Sequence, residues 1–328
     1  MSFTLLSANI FEQIVSMLPS SFELGLITAL TVLALFLSYS MLNVCDLSTD
    51  GCFTLGAVVG ATVALSGHPY LSIFAAIIAG MLSGLITALL QTYLGVDSLL
   101  SGIIVNTALY SVNIAIMGNS SIVNLNKTET IFTKLKSLLK DSFLDSAYKI
   151  IIVFAAVALI ILFLSFFLKT RLGLAIRATG NNPAMVKASS INPALTTIIG
   201  LCIANSFTGL SGCLMAQYQK SANIDIGSGI LTVALASLLI GRSFMNKGKI
   251  TKRAIGAVLG ACIFRIVYSI ALCFNMPASM LKLVSSIIVI IAVSGPYLQS
   301  KYPLFMRKLE VKGIKLPGVS KMAKGGEK

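Results

Sequence analysis

Apolar residues come along the chain in blocks near the length needed to cross a bilayer, about 20 residues at ~1.5 Å of rise each. About nine such blocks stand at roughly 22–44, 52–67, 70–94, 98–117, 149–168, 194–216, 229–245, 254–273 and 278–299. The second and seventh are short for a full crossing. Each follows an irregular polar stretch, Cys45 to Gly51 and Gln219 to Gly229. The pattern predicts an all-α polytopic membrane protein of about nine transmembrane helices, with short interrupted helices among them. Ahead of the first block, Ile10, Ile14, Val15 and Leu18 recur at helical spacing around Glu12 and Gln13. This predicts an N-terminal helix over 1–20 lying in the membrane interface. The segment lacks a basic start and a small-residue cleavage site, so it does not read as a signal peptide. Residues 1–300 thus form a single transmembrane domain, followed by a basic tail over 301–328.

Composition agrees with the pattern. The chain is 56% hydrophobic and 11% charged, where soluble domains carry about a quarter charged residues. The net charge of +14 would suggest an acidic partner if it were spread evenly, but it follows the topology. With the N-terminus outside, 17 basic residues fall inside and 7 outside, with Arg265 within a span. Five acids fall inside and six outside, so the net is about +12 inside and +1 outside. Cytoplasmic loops carry such an excess of Lys and Arg. The charge is therefore a topology signal that puts the C-terminus on the inner side of the membrane, and no nucleic-acid site is read from it.

Two polar excursions interrupt the apolar blocks. The outer one, 119–149, contains the amphipathic run IFTKLKSLLKDSFLD. It suits either a platform for an extracytoplasmic partner or a helix resting on lipid headgroups. The inner one, 169–193, places Asn182 before Pro183, a good N-cap and first-turn pair, and predicts a short helix over about 183–190 closed by Asn192-Pro193. Its spacing suits both a docking element and a plain basic connector.

Within the spans, three GxxxG patterns, Gly56–Gly60, Gly80–Gly84 and Gly256–Gly260, predict close helix packing. Asn106 and Asn113 lie two turns apart on one face, and Asn205, Ser206, Thr208 and Ser211 form a polar stripe. Such groups either bind helices together or line a hydrated path. Arg265 is the one charge well inside a span, roughly 18 Å along a helix from Arg253. It is either functional or snorkels to the outer interface, with Asp225 a candidate partner. Asp50-Gly-Cys-Phe-Thr54 and Ser228-Gly-Ile-Leu-Thr232 open the two short spans alike, as an inverted repeat with broken helices would. The path candidates are therefore Asp46, Ser48, Asp50, Thr54, Asn106, Asn113, Asn205, Thr208, Ser228, Thr232 and Arg265.

Catalytic chemistry is not legible. The six cysteines lack CxxC spacing, and His68 is the single histidine, which removes the usual zinc, redox and nucleophile–base patterns. The stretch Gly241-Arg-Ser-Phe-Met-Asn-Lys247 lacks the second glycine of a phosphate-binding loop, so ATP is not expected on this chain.

Arg177-Ala-Thr-Gly-Asn-Asn-Pro-Ala184 with Ala188-Ser-Ser-Ile191 resembles the "R-A-x-G … A … G-I" coupling loop of permeases in the branched-chain amino acid and ribose importer family. Asp46-Leu-Ser-Thr-Asp-Gly51 followed by Phe53-Thr-Leu-Gly-Ala57 resembles that family's "G-I-D-L-S-x-G-S" stretch. The likeness runs from about residue 10 to 300. Cys45 stands where ribose-type members carry isoleucine, Asp50 interrupts the usual small residues, Ser190 replaces a glycine, and an extra N-terminal span is missing. These departures bear on the substrate more than on the fold. Within the family the chain is most similar to Gram-positive permeases paired with a lipoprotein receptor and a single kind of ATPase, some associated with aromatic amino acids.

The resemblance implies a non-enzymatic subunit, a homodimer with a central path for a small polar solute. An amino acid, aromatic ones included, is favoured over a sugar or nucleoside. It also implies cytoplasmic ATPase subunits carrying ATP and Mg, an extracytoplasmic binding lipoprotein, and coupling through Arg177, Ala178, Thr179, Gly180, Asn181, Asn182, Pro183 and Ala184. Two other readings stand beside it. A secondary transporter would suit the broken-helix echo, but such proteins carry ion-coupling acids in mid-span, whereas Asp46, Asp50 and Asp97 read as span ends. A membrane scaffold would leave the polar stripes without a role.

Overall fold

A computed structural model of the chain describes residues 2–138, 148–245, 248–273, 280, 283–291 and 294. Its helices are α1 (Ser2–Leu35), α2 (Thr49–Leu65), α3 (Pro69–Thr92), α4 (Ser98–Ile116), α5 (Ile131–Leu138), α6 (Tyr148–Phe167), α7 (Arg171–Asn181), α8 (Pro183–Ala188), α9 (Pro193–Gln219), α10 (Ile230–Phe244) and α11 (Ile250–Leu272). Two short strands, β1 (Ile122–Asn124) and β2 (Ser221–Asn223), pair antiparallel, Val123 opposite Ala222. Six helices among the described residues are long and apolar enough to cross a membrane, and α2 and α10 are shorter apolar helices. These eight correspond to the first eight expected blocks. The ninth, 278–299, lies largely outside the described residues, of which 283–291 are helical. The tail 301–328 and residues 139–147 of the outer excursion also lie outside them.

The separate helix expected over 1–20 is instead the beginning of α1, which runs unbroken through Pro19. Proline removes one N–H and crowds the carbonyl four residues back. Here the hydroxyls of Ser20 and Ser21 donate to the Met17 carbonyl at 3.0 and 2.6 Å. Ser21 also lies 2.6 Å from Ser269 on α11. Ser21 thus serves a contact between α1 and α11.

Two helices form the centre. In the most apolar window of α1, 83% of residues are buried, and in that of α9 78%, against 22% for α6. The outer helices turn large apolar side chains outward: Phe74 is 63% exposed, Phe154 59% and Phe166 74%. In water such faces would make a very large apolar patch, which monomeric soluble proteins avoid. Against lipid tails they carry no comparable cost.

Small residues set the central crossings. A Cβ on Gly56 of α2 would meet the backbone of Gly209 on α9, and one on Gly60 would meet Cys213. Gly80 and Gly84 on α3 abut the carbonyls of Asn205 and Leu201, again on α9. Gly260 on α11 abuts Ser237 on α10, and Gly256 faces Gly241 there. All three GxxxG pairs therefore sit at helix crossings, where small residues let backbones approach.

The packing shows a repeat. Each of the sets α1–α2–α3 and α9–α10–α11 runs long, short, long. The short helix packs on the following long one in both sets, and the first helix of each set packs on the last of the other, α1 on α11 and α9 on α3. Asp50–Thr54 begins in the first turn of α2, and Ser228–Thr232 begins two residues before α10.

Candidate functional site

The chain between α1 and α2 does not leave the bundle as an ordinary connector. α1 ends in a π-helical turn, Phe36–Met41, and Asn43 takes a positive φ of 57°. The chain then turns back inward, and Asp46 and Ser48 are 2% and 0% exposed. One Asp46 oxygen accepts the Ser48 N–H at 2.8 Å and its hydroxyl at 2.6 Å. The other accepts the Asn205 side-chain amide of α9 at 2.7 Å. The Thr87 hydroxyl of α3 donates to Ser48 at 3.3 Å. Buried carboxylates persist only when hydrogen-bonded in this way. Asp46, Ser48 and Asn205 thus pin the re-entrant segment to α9 and α3. They do not line the two cavities described below, and neither does Thr208, whose hydroxyl donates to the Ala204 carbonyl at 3.4 Å.

Asp50, in the first turn of α2, reaches the other short helix. Its carboxylate accepts the Gly229 N–H at 3.0 Å and the Leu231 N–H at 2.8 Å. These belong to the N-terminus of α10, where free N–H groups and a partial positive charge favour an anion. Gly229 has φ of 82°, a conformation that glycine alone adopts easily. Gly227 lies against the backbone of Asp50, leaving no room for a Cβ. The two broken helices therefore meet at their N-termini through one carboxylate. Asp46 and Asp50 stand at a span end as expected, just before α2 and in its first turn, but that end is folded into the bundle by partners more than 150 residues away.

Two cavities flank this junction. The first, about 330 Å³, is lined by Asp50, Thr54, Asn106, Asn113, Asp225 and Ser228, among others. Asn113 donates to the Gly51 carbonyl at 3.3 Å, and its own side-chain oxygen has no partner. The second, about 520 Å³, is lined by Ser228, Thr232 and Arg265, with Phe264 and Tyr268. Ser228 belongs to both. No ion pair joins Arg265 to Asp225 among the described residues, and the two line different cavities. The sequence reading missed Thr107 and Tyr110 in the first cavity and Tyr268 in the second. Tyr110 follows Asn106 by four residues and precedes Asn113 by three, so helical spacing alone marks it as sharing their face.

The segment 169–193 holds two helices where one was expected. The Thr170 hydroxyl accepts the Gly173 N–H at 3.3 Å and caps α7. Asn182 accepts the Met185 N–H at 3.1 Å and caps α8, with Pro183 in its first turn. Arg177 is half-buried, Ala178, Asn181, Asn182, Pro183 and Ala184 are exposed, and Thr179 is buried. The Thr179 and Thr196 hydroxyls lie 2.8 Å apart, tying α7 to α9. A Cβ on Gly180 would strike the backbone of Met41 and Leu42, so α7 rests directly on the end of α1. The exposed tip is Met185, 68% accessible.

The family described as "Branched-chain amino acid transport system / permease component" matches residues 18–293. The chain belongs to this family. A tyrosine transport system permease protein of Clostridioides difficile is 32% identical over 81% of this permease and 86% of its own length. A guanosine ABC transporter permease protein of Bacillus subtilis is 27% identical over 78% of this chain and 81% of its own. A galactose/methyl galactoside import permease protein of Haemophilus influenzae is 25% identical over 68% and 69%. No solved structure matches. The chain is thus a multi-pass plasma-membrane permease whose relatives take amino acids, nucleosides or sugars. Membership in this family brings an ATPase and a substrate-binding protein as partners in general.

Proposed function

We propose that this permease is the membrane-spanning subunit of an ATP-driven importer for a small polar amino acid-like solute, aromatic amino acids included. The N-terminus lies outside, the C-terminus in the cytoplasm, and two copies form the path. ATP and Mg are held by a partner ATPase, and a substrate-binding lipoprotein delivers the solute. Similarity to the tyrosine permease over most of both chains supports the solute class. The excess of basic residues in the segments assigned to the inside supports the orientation.

The coupling route follows from contacts. A push on α8 moves α7, whose Gly180 rests on Met41 and Leu42 at the end of α1. That end leads through Asn43, Val44 and Cys45 to the Asp46 anchor and on to Asp50, which holds the start of α10. Motion at the ATPase face thereby reaches the junction of the two broken helices through one continuous chain of packed groups. A two-state bundle biased at this junction would open alternately outward and inward.

An ion-driven secondary transporter is the competing mechanism, because Asp46 and Asp50 lie inside the bundle. Both carboxylates, however, are taken up by protein donors.

The test of the coupling face is co-purification from mild detergent. Met185 lies on the exposed tip of the short capped helix, so Met185→Asp leaves the fold intact. It should lower recovery of the ATPase by about tenfold, a loss of ~1.4 kcal/mol in binding. Equal recovery from wild type and variant would refute the docking role of α8.

A further inference from the structure

The 520 Å³ cavity has an unusual charge balance. Its wall is built from the outer end of α9 (Met215, Gln219), the start of α10, residues of α11, and Ser285 and Ser286. Among the described residues, Arg265 is the one charged side chain in that wall, and no carboxylate lines it. The Arg265 Nε is buried with no hydrogen-bond partner. The guanidinium carbon stands 5.9 Å from the centre of the Tyr268 ring. An aromatic face attracts a cation but does not satisfy its N–H groups. The first turn of α10 adds partial positive charge on the same side, part of which Asp50 offsets. A part-buried cation with an unpaired N–H is costly unless something anionic completes it.

We infer that this cavity binds the carboxylate of the transported solute, with Arg265 as the anion-recognising residue and the Phe264, Tyr268 and Met215 wall taking an apolar or aromatic remainder. This rests on the importer reading above and sharpens it. A guanidinium fork matches a carboxylate with two parallel N–H donors. A volume of about 520 Å³ lies within the range of small-molecule sites. Neutral sugars and nucleosides offer nothing to complete the charge, so the cavity discriminates for amino acids and related acids. Ser228, shared with the smaller cavity that holds Asp50 and Asp225, places an acidic site beside the cationic one.

The test labels the purified full chain with phenylglyoxal, which modifies accessible guanidinium groups, and follows the Arg265 peptide by mass spectrometry. 4-Hydroxyphenylacetate and L-tyrosine, well above half-saturation, should slow modification at least about fivefold, while tyramine, guanosine and inorganic phosphate leave it unchanged. Resistance of Arg265 to the reagent without ligand, absence of protection by either carboxylate, or equal protection by tyramine or phosphate would each overturn the assignment. In the assembled importer, Arg265→Gln should lower L-tyrosine uptake by about tenfold or more, and Arg265→Lys by less, because lysine keeps the charge but loses the fork. Full uptake in Arg265→Gln would remove the cavity role and leave the importer reading standing. Protection of Arg265 in a chain that recruits no ATPase would do the reverse.

Discussion

Replacing Asp50 with alanine should reduce solute uptake by at least about tenfold while the protein still inserts and purifies, because two charge-assisted hydrogen bonds worth ~1.5–3 kcal/mol each are lost. The bonds run to the Gly229 and Leu231 N–H groups at 3.0 and 2.8 Å. Without the carboxylate, the N-terminus of α10 loses its acceptor and the two short helices lose their link. The rest of each helix keeps its own packing, α2 on α3 and α9 and α10 on α11, so the fold survives. Asp50→Asn keeps one acceptor oxygen and should retain intermediate uptake. Uptake and thermal unfolding measured side by side on both variants check this. Wild-type uptake in Asp50→Ala would show that the junction has no part in transport.

The second large effect is on stability. Gly56→Val should leave little or no folded protein, since the new side chain would meet the Gly209 carbonyl and Cα across the α2–α9 crossing. Overpacking a core costs about 1–3 kcal/mol when side chains can shift. Here the obstacle is backbone, and the crossing itself must open. Gly200→Ala offers the contrast, because its nearest neighbour is a methyl group of Leu42 at 3.1 Å, the end of a flexible side chain. Size-exclusion profiles and melting temperatures in detergent should show loss of the folded peak for Gly56→Val and a near-native protein for Gly200→Ala. Comparable melting of the two would remove the close crossing as a determinant of the fold.

These two residues also show what the sequence discloses and what it withholds. Gly56 and Gly60 were readable as a packing pair, since only spacing and residue size are needed. Their partner was not readable, because α9 contributes Gly209 and Cys213 without a GxxxG of its own. Apolar block length located α3, α4, α6, α9 and α11 almost to their ends. Asp46 and Asp50 stand at a span end as expected, but that this end folds inward was not readable, because a polar stretch between apolar blocks looks the same whether it exits the membrane or folds back. The choice depends on Asn205 and Gly229, which lie far along the chain. α7 was missed although a signal was present: Leu172, Ile176 and Thr179 follow helical spacing behind the Thr170 cap, and Ile176 and Thr179 are buried. Asn106 and Asn113 were correctly placed on one face, and they line the same cavity. Thr208 and Asn205, equally polar and on the expected stripe, hold backbone and carboxylate instead. Polarity within a span separates these two fates only when the partners are known.

The central claim is that ATP hydrolysed on a partner drives solute through this chain. The direct measurement is uptake of radiolabelled L-tyrosine into proteoliposomes containing the permease with its co-purifying ATPase and binding protein, with ATP enclosed on the ATPase side. The account predicts accumulation that requires ATP, persists when ionophores collapse all ion gradients, and disappears in Met185→Asp. Accumulation by the permease alone, driven by a proton or sodium gradient and indifferent to ATP, would contradict it.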